Sequence, residues 1–225
     1  MRTTTINDNL IQLTRLGFVN AYLVREDDGF TLVDTTMPKT GDALLAAARD
    51  AGAPIRRIAL THGHGDHVGS LDELKGKLGD EVQVLMPELD ARIHAGEKVV
   101  EGKPKGSWPT LSTVPDVRLA PGDRVGSLEV VPSPGHTPGH VAFLDIRDRT
   151  LIAGDVFTTF GSVQVTNHFY WRFPLAAMAT NDKAQDLASA RALRARDPSL
   201  LVVGHGGAVR NPGSQMDTAI RRAEG

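Results

Sequence analysis

The stretch His62-Gly63-His64-Gly65-Asp66-His67 places three imidazoles and a carboxylate within six positions, with glycine between them. The chain has no cysteine, so disulfides, thiolate nucleophiles and thiolate metal sites are excluded together. A metal here must be held by His, Asp or Glu. His62 and His64 lie two apart, which in an extended segment turns both side chains the same way. Asp66 and His67 fall where the chain bends toward a following helix and can face a second point nearby. One cation cannot comfortably use all four groups from so short a loop, whereas two cations side by side can.

Further donors then ought to stand at other strand ends. His136 follows VVPSPG, Asp155 follows TLIAG and His205 follows LLVVG. Each is polar, preceded by glycine, and placed where an apolar run stops. His140, four residues after His136, opens a strand and reads as supporting or plainly structural. His94, on an apparent surface helix, reads as uninvolved.

The elements that must position these groups are legible in outline. Strands are expected between Leu10 and Asp34, with a hairpin signal at EDDG. A helix is expected from a Thr40 cap to Ala51, stopped by Gly52. IRRIAL is a strand that ends at the histidine stretch. Ser70 and Glu73 have capping-box spacing at the head of a helix closed by Gly79. EVQVLM reads as a strand and PELDARIHAG as a short helix. Residues 96–115, rich in Gly, Pro and Lys, read as a long surface loop. The second half holds strands in VRLA, SLEVV, HVAFLDI and RTLIAGD, a helix over 182–196, the strand LLVV and a last helix through Met216 and Ile220. This loose alternation predicts an α/β (α+β) chain, 1–225 as a single domain, built from two mixed β-sheets packed together with helices on the outer faces.

THGHGDH, PGHTPGH, IAGD and VVGHG, in that order, resemble the metallo-β-lactamase-fold metallohydrolases, from about Asp34 to His205. The resemblance implies an αββα sandwich with a metal site along one edge of both sheets. It implies His62, His64 and His136 around one metal, Asp66, His67 and His205 around a second, and Asp155 bridging them. Asp34 matches an acidic position that supports the site without ligating it. An aspartate at the bridging position argues against antibiotic hydrolysis. The single helix after His205 and the lack of a visible basic docking surface also set the chain apart from typical glyoxalase II and ribonuclease Z-like members.

Two divalent metals would hold a hydroxide between them at neutral pH. Two carboxylates and that hydroxide leave the site about +1, which favours an oxyanion forming on a substrate. Asp66 is the candidate catalytic residue, orienting the hydroxide and shuttling a proton. Zinc leads among the candidate metals, and manganese, iron and cobalt suit the same donors. Six aromatics follow Asp155, namely Phe157, Phe160, Phe169, Tyr170, Trp171 and Phe173. They are expected either to rim an apolar pocket or to pack against the sheet. Phe157, Tyr170, Trp171, Trp108 and His168 are the candidate substrate contacts. Lys103, Lys105 and Arg172 read as solvated rather than as anchors for an anion.

The expected activity is hydrolysis of a small ester, lactone or thioester. A mononuclear-iron persulfide dioxygenase of the same superfamily and a phosphodiesterase are the alternatives. With 25 basic and 27 acidic side chains, a net charge of −2 gives no sign of a nucleic-acid partner. The opening MRTTTINDNLIQLTRLG has no export-signal core, and no run is long enough to span a bilayer. A small-molecule substrate, no membrane partner and a cytoplasmic location are therefore expected.

Overall fold

In the central strands successive side chains are apolar on both faces, which is the pattern of a sheet covered on each side. The computed structural model, describing residues 1–225, has two such sheets. The first runs β1 (Arg2–Asn7), β2 (Leu10–Arg15), β3 (Val19–Glu26), β4 (Gly29–Val33), β5 (Ile55–Ala59), β6 (Gln83–Pro87), β7 (Val117–Leu119), in chain order across the sheet. Its first four strands form an antiparallel meander, and β4 to β7 pair in parallel. The parallel crossovers carry α1 (Gly41–Asp50), α2 (Gly65–Val68) with α3 (Leu71–Leu78), and α4 (Glu88–His94).

The second sheet contains β8 (Arg124–Val125), β9 (Leu128–Pro132), β10 (Val141–Asp145) and β11 (Thr150–Ile152), then β14 (Leu200–Val202) and β15 (Val209–Arg210). Its order is β15-β14-β11-β10-β9-β8, antiparallel except where β14 lies parallel to β11. A small ribbon, β12 (Phe157–Thr158) with β13 (Gln164–Val165), and the helices α5 (Pro174–Ala179), α6 (Lys183–Ala195) and α7 (Gly213–Ala223) complete the chain.

Alternation sorts the core into three layers. Tyr22, Val24, Val33, Ala59 and Leu85 of the first sheet face Val130, Phe143, Ile152 and Val202 of the second. Their neighbours Leu23, Leu32, Ile58 and Val84 turn outward onto α1 and α3, where Leu44, Leu71 and Leu74 cover them. Ala142, Leu151, Leu201 and Val203 turn the other way, onto Leu193 of α6 and Met216 of α7. Helices thus lie outside two facing sheets, the αββα arrangement. The parallel crossovers make β4, β5 and β6 end at one edge, and β9, β11 and β14 end at the same edge of the second sheet. Asp34, His62, His136, Asp155 and His205 all lie just past those ends.

Local details differ from the sequence expectations for tertiary reasons. Neither Thr40 nor Ser70 caps its helix through its side chain. The Thr40 hydroxyl is 2.6 Å from the Met37 carbonyl, and the Ser70 hydroxyl donates to that carbonyl at 2.8 Å. Glu73, instead of closing a capping box, accepts from the Gly41 N–H at 3.1 Å. The same donors and acceptors are spent on joining α1 to α3. Strand β1, the ribbon β12–β13 and helix α5 were not expected; all are short or polar and carry little periodicity.

Phe143 is fully buried between the sheets. Its truncation to alanine is expected to cost about 3–5 kcal/mol, read as a lowered urea midpoint without a change in slope.

Candidate metal centre

The hydrogen-bond partners of each imidazole fix which nitrogen carries a proton. Thr61 faces the acceptor-only carboxylate of Asp34 at 2.8 Å, so its hydroxyl hydrogen is committed there. It therefore accepts from His62 Nδ1 at 3.0 Å, and His62 Nε2 keeps a lone pair. His64 Nε2 lies 3.0 Å from the Lys105 carbonyl, so Nε2 donates and Nδ1 holds the lone pair. The Thr180 hydroxyl donates to the Thr166 or Ala176 carbonyl, and accepts from His136 Nδ1 at 3.0 Å. His136 Nε2 is then also a lone pair, and it faces His64 Nδ1 at 3.1 Å with no proton left to share. Three buried lone pairs converge on one point. Burial, with the neighbouring histidines, holds His62 and His136 well below the usual imidazole range and His64 below it. Neutral imidazoles so aimed are a ligand set for a cation.

The second group has a different balance. His67 Nδ1 donates to Asp34 at 2.8 Å, leaving Nε2 3.4 Å from Asp155 Oδ1. His205 Nδ1 donates to the Phe18 carbonyl, and its Nε2 stands 3.1 Å from Asp155 Oδ2 and 3.3 Å from Asp66 Oδ2. Burial alone would depress both imidazoles, but the carboxylates outweigh it. His67 is raised well above its usual value, and His205 is pushed up to about 9. Burial likewise raises the Asp66 carboxyl, yet the His205 hydrogen bond and the charges of His67 and His205 hold it below the usual range. Asp155 joins the two groups, since Oδ2 is also 3.5 Å from His136 Nε2.

His62 Nε2, His67 Nε2 and Asp155 Oδ1 are buried without any hydrogen-bond partner. Three unpartnered polar atoms in one buried corner are costly unless a further group satisfies them. The potential donors fall into sets of His62, His64 and His136, of His62, His67 and Asp155, and of Asp66, His67 and His205, each with its ligand atoms within 4.8 Å of one another. The residues therefore fit a metal, and the three sets overlap through His62 and His67.

The backbone around these donors is held from behind. Asp34, at φ 62°, sits in the left-handed region, and from there its carboxylate serves Thr61 and His67 together. Asp90 accepts from Gly63 N–H, Gly139 N–H and the Thr137 hydroxyl at 2.7–2.8 Å, tying the His62 loop to the His136 loop. His140 Nε2 accepts from the Asp155 N–H at 3.0 Å, so this histidine supports rather than ligates. His94, which reads from sequence as uninvolved, lies with Nε2 2.9 Å from the Gly63 carbonyl and stacks near Trp108.

Residues 96–115 contain no helix or strand, but they are more than a surface loop. Lys105 offers its carbonyl to His64 and to the Trp108 indole, and its ammonium to the Thr180 and Asn181 carbonyls. Ser107 O accepts from Gly65 N–H at 2.8 Å. Gly106, at φ 83°, passes so close to the His64 ring that a Cβ would collide with it.

The expected aromatic rim needs correction. A cavity of about 520 Å³ opens over Asp66, Asp155 and His205, and of the six aromatics after Asp155 only Phe173 lines it, together with Phe18. Phe157 is fully buried in the outer core beside α6 and α7, because its strand turns it inward. Trp171 projects to solvent and stacks on Arg172. Tyr170 and His168 are half-buried but off the cavity, with His168 Nδ1 3.1 Å from the Asn167 side-chain oxygen. Trp108 packs behind His64 rather than facing the space. Phe18 lies in the first sheet's hairpin, where nothing in the sequence ties it to the donors.

Two sheets, one loaded edge and this donor set define a metallohydrolase-type centre. The chain belongs to the metallo-beta-lactamase superfamily, whose family profile matches residues 14–205. It is 40% identical over 212 residues to "Uncharacterized protein YobT" of Bacillus subtilis (strain 168), covering 92% of this chain and 91% of that one. It is 30% identical over 153 residues to a hydroxyacylglutathione hydrolase of Rhodopseudomonas palustris (strain HaA2), matching 66% of this chain and about half, 52%, of that protein. Among solved structures, a metallo-beta-lactamase from Pontibacter korlensis shares the fold at a TM-score of 0.74 and 21% identity, covering 99% and 98% of the two chains. TTHA1623, solved in a di-iron-bound form, superposes at a TM-score of 0.64 and 28% identity, covering 90% and 94%. No helix is long and apolar enough to cross a membrane.

His205 carries a linkage that can be measured on metal-free protein. Its folded pKa, about 9, exceeds the unfolded value of 6.5, so its contribution to stability is complete below pH 6.5 and is lost as pH rises through 9. Urea unfolding after chelation should show stability falling between those limits, and His205→Gln should flatten that fall.

Proposed function

We propose that this protein is a two-metal hydrolase that cleaves small carboxylic esters, lactones or thioesters. The observation that carries the reading is the carboxylate of Asp155, poised between a set of neutral imidazoles and a set holding Asp66. The ligands we assign are His62, His64 and His136 on one side, Asp66, His67 and His205 on the other, with Asp155 shared. The di-iron form of the similar TTHA1623 supports two occupied positions. When bound, a pair of divalent cations (zinc first, with manganese, iron or cobalt suiting the same donors) lowers the pKa of a water and stabilises negative charge on a substrate oxygen.

The chain's own residues supply the rest. Asp66 is the one carboxylate at this corner with substantial exposure, its side chain 38% accessible, and it borders the cavity. Its carboxylate is an acceptor that can orient a water O–H. A proton placed on it is readily given up, which suits delivery to a leaving oxygen or sulfur. Phe18 and Phe173 wall the cavity beside His205 and give it an apolar face.

Metal analysis of freshly purified protein, run beside a panel of esters, lactones, a lactoyl thioester, a cephalosporin and a phosphodiester, tests this directly. About two metals per chain and turnover of the carboxylic substrates are expected, with loss of both on chelation. Asp66→Ala should lower turnover by about a hundredfold or more and reduce the metal content. Full loading without cleavage of any ester, lactone or thioester would remove the substrate class. A single iron, with oxygen consumed in the presence of a persulfide, would replace the hydrolase reading altogether.

A further inference from the structure

The wall of the cavity says which carboxylic substrates suit it. Apart from the assigned ligands, its lining is almost wholly apolar, Ser107 being the one polar side chain beyond them, and it contains no lysine or arginine. Lys105 is bound to two backbone carbonyls, and Arg172 lies over the Trp171 ring. On one side of the space stands the aromatic pair Phe18 and Phe173, the latter stacked on Phe160 at 5.2 Å. On another side stands Met37, and along the mouth lies α5.

Helix α5 presents Leu175 and Met178 to this cavity while leaving them 60% and 69% exposed. Large apolar side chains are seldom left uncovered beside a reactive centre without an occupant to cover them. The covering group must itself be apolar, because no charge in the wall could pair with a charged one. It must also be continuous with the reacting carbonyl, since the same cavity contains Asp66, Asp155 and His205.

Resting on the hydrolase reading, the geometry points to an uncharged acyl substrate whose apolar chain lies against Phe18, Phe173 and the exposed face of α5, with Leu175 and Met178 as the residues that set chain preference. Substrates bearing carboxylates remote from the reacting carbonyl, such as glutathione thioesters or cephalosporins, find no lysine or arginine in the wall and are poor. This separates the chain from the activity in the name of its hydroxyacylglutathione hydrolase relative.

The test is a series of uncharged p-nitrophenyl esters from acetyl to decanoyl, beside an ω-carboxylated ester of matched length. It is paired with calorimetric binding of 1-alkanols from butanol to decanol to the metal-loaded protein. Transfer of a methylene from water is worth about 0.8 kcal/mol, roughly fourfold at full burial. We expect kcat/KM and alkanol affinity each to rise about two- to fourfold per methylene until the cavity is filled. The carboxylated ester should fall at least tenfold below its neutral partner. Leu175→Asn and Met178→Gln, both at exposed positions, should each cut the octanoyl-to-acetyl ratio of kcat/KM several-fold, whereas Val114→Asn, an exposed apolar position outside the cavity lining, should not. Ester hydrolysis indifferent to chain length and to these variants would overturn the chain-site inference and leave the hydrolase intact. Stepwise alkanol binding, weakened by the α5 variants but without ester turnover, would keep the apolar site and overturn the reaction. Neither turnover nor alkanol binding would sink both.

Discussion

Two nitrogen lone pairs, on His64 and His136, face one another at 3.1 Å in a corner nearly closed to water. Neither can turn away, because the far nitrogen of each ring is tied to a neighbour, the Lys105 carbonyl in one case and the Thr180 hydroxyl in the other. Electron-rich atoms held together at low dielectric repel strongly unless positive charge lies between them. The rest of the corner follows from that constraint. His62 adds a third lone pair, and the carboxylates of Asp155 and Asp66 add negative charge. In the absence of metal, the raised proton affinities of His67 and His205 show how strongly the corner attracts any cation at all.

Holding such a frustrated arrangement requires the frame outside it to be over-determined. The donors come from four strand ends, those of β5, β9, β11 and β14, and the sheets alone fix those ends only to within a loop's freedom. Polar links remove that freedom. Asp34 ties the β4 end to the His62 loop, Asp90 ties that loop to the one carrying His136, and His140 holds the backbone of Asp155. Asn20 and Tyr22, on the first sheet, bond the Val203 carbonyl two residues before His205. The layered apolar core supplies the energy for folding. These buried hydrogen bonds supply the positional accuracy.

Much of this was readable in the chain, and the unread part has a physical explanation. The density of donors in one short loop points to His62 and His64, and histidine or aspartate behind glycine at the end of an apolar run points to His136, Asp155 and His205. The four-layer sandwich was readable too, from strands apolar on both faces alternating with amphipathic helices. Asp90 and His94 gave no such signal. An aspartate in a helix and a histidine in its last turn are common, and their partners at Gly63, Thr137 and Gly139 are distant in sequence. The consecutive aromatics after Asp155 misled for a related reason. Strand β12 turns Phe157 into the core, and in the irregular stretch before α5 neighbouring rings point in unrelated directions, Trp171 to solvent and Phe173 to the cavity. Ser70 and Glu73 had the right spacing for a capping box, but the meeting of α1 with α3 offered them other partners.

The segment from Lys105 to Ser107 lies across the seam between the two sheets' loops, fastened to His64 and Gly65 on one side and to Thr180 and Asn181 on the other. Its tolerance of insertions must therefore be uneven along its length. Residues can be added or lost between 96 and 104 with the fastening intact, since the chain there makes no demands on the centre. One extra residue between 105 and 108 would unbutton both sides at once. Divergence of this long loop among relatives should accordingly be rich in length on its flanks and nearly frozen at its crossing point.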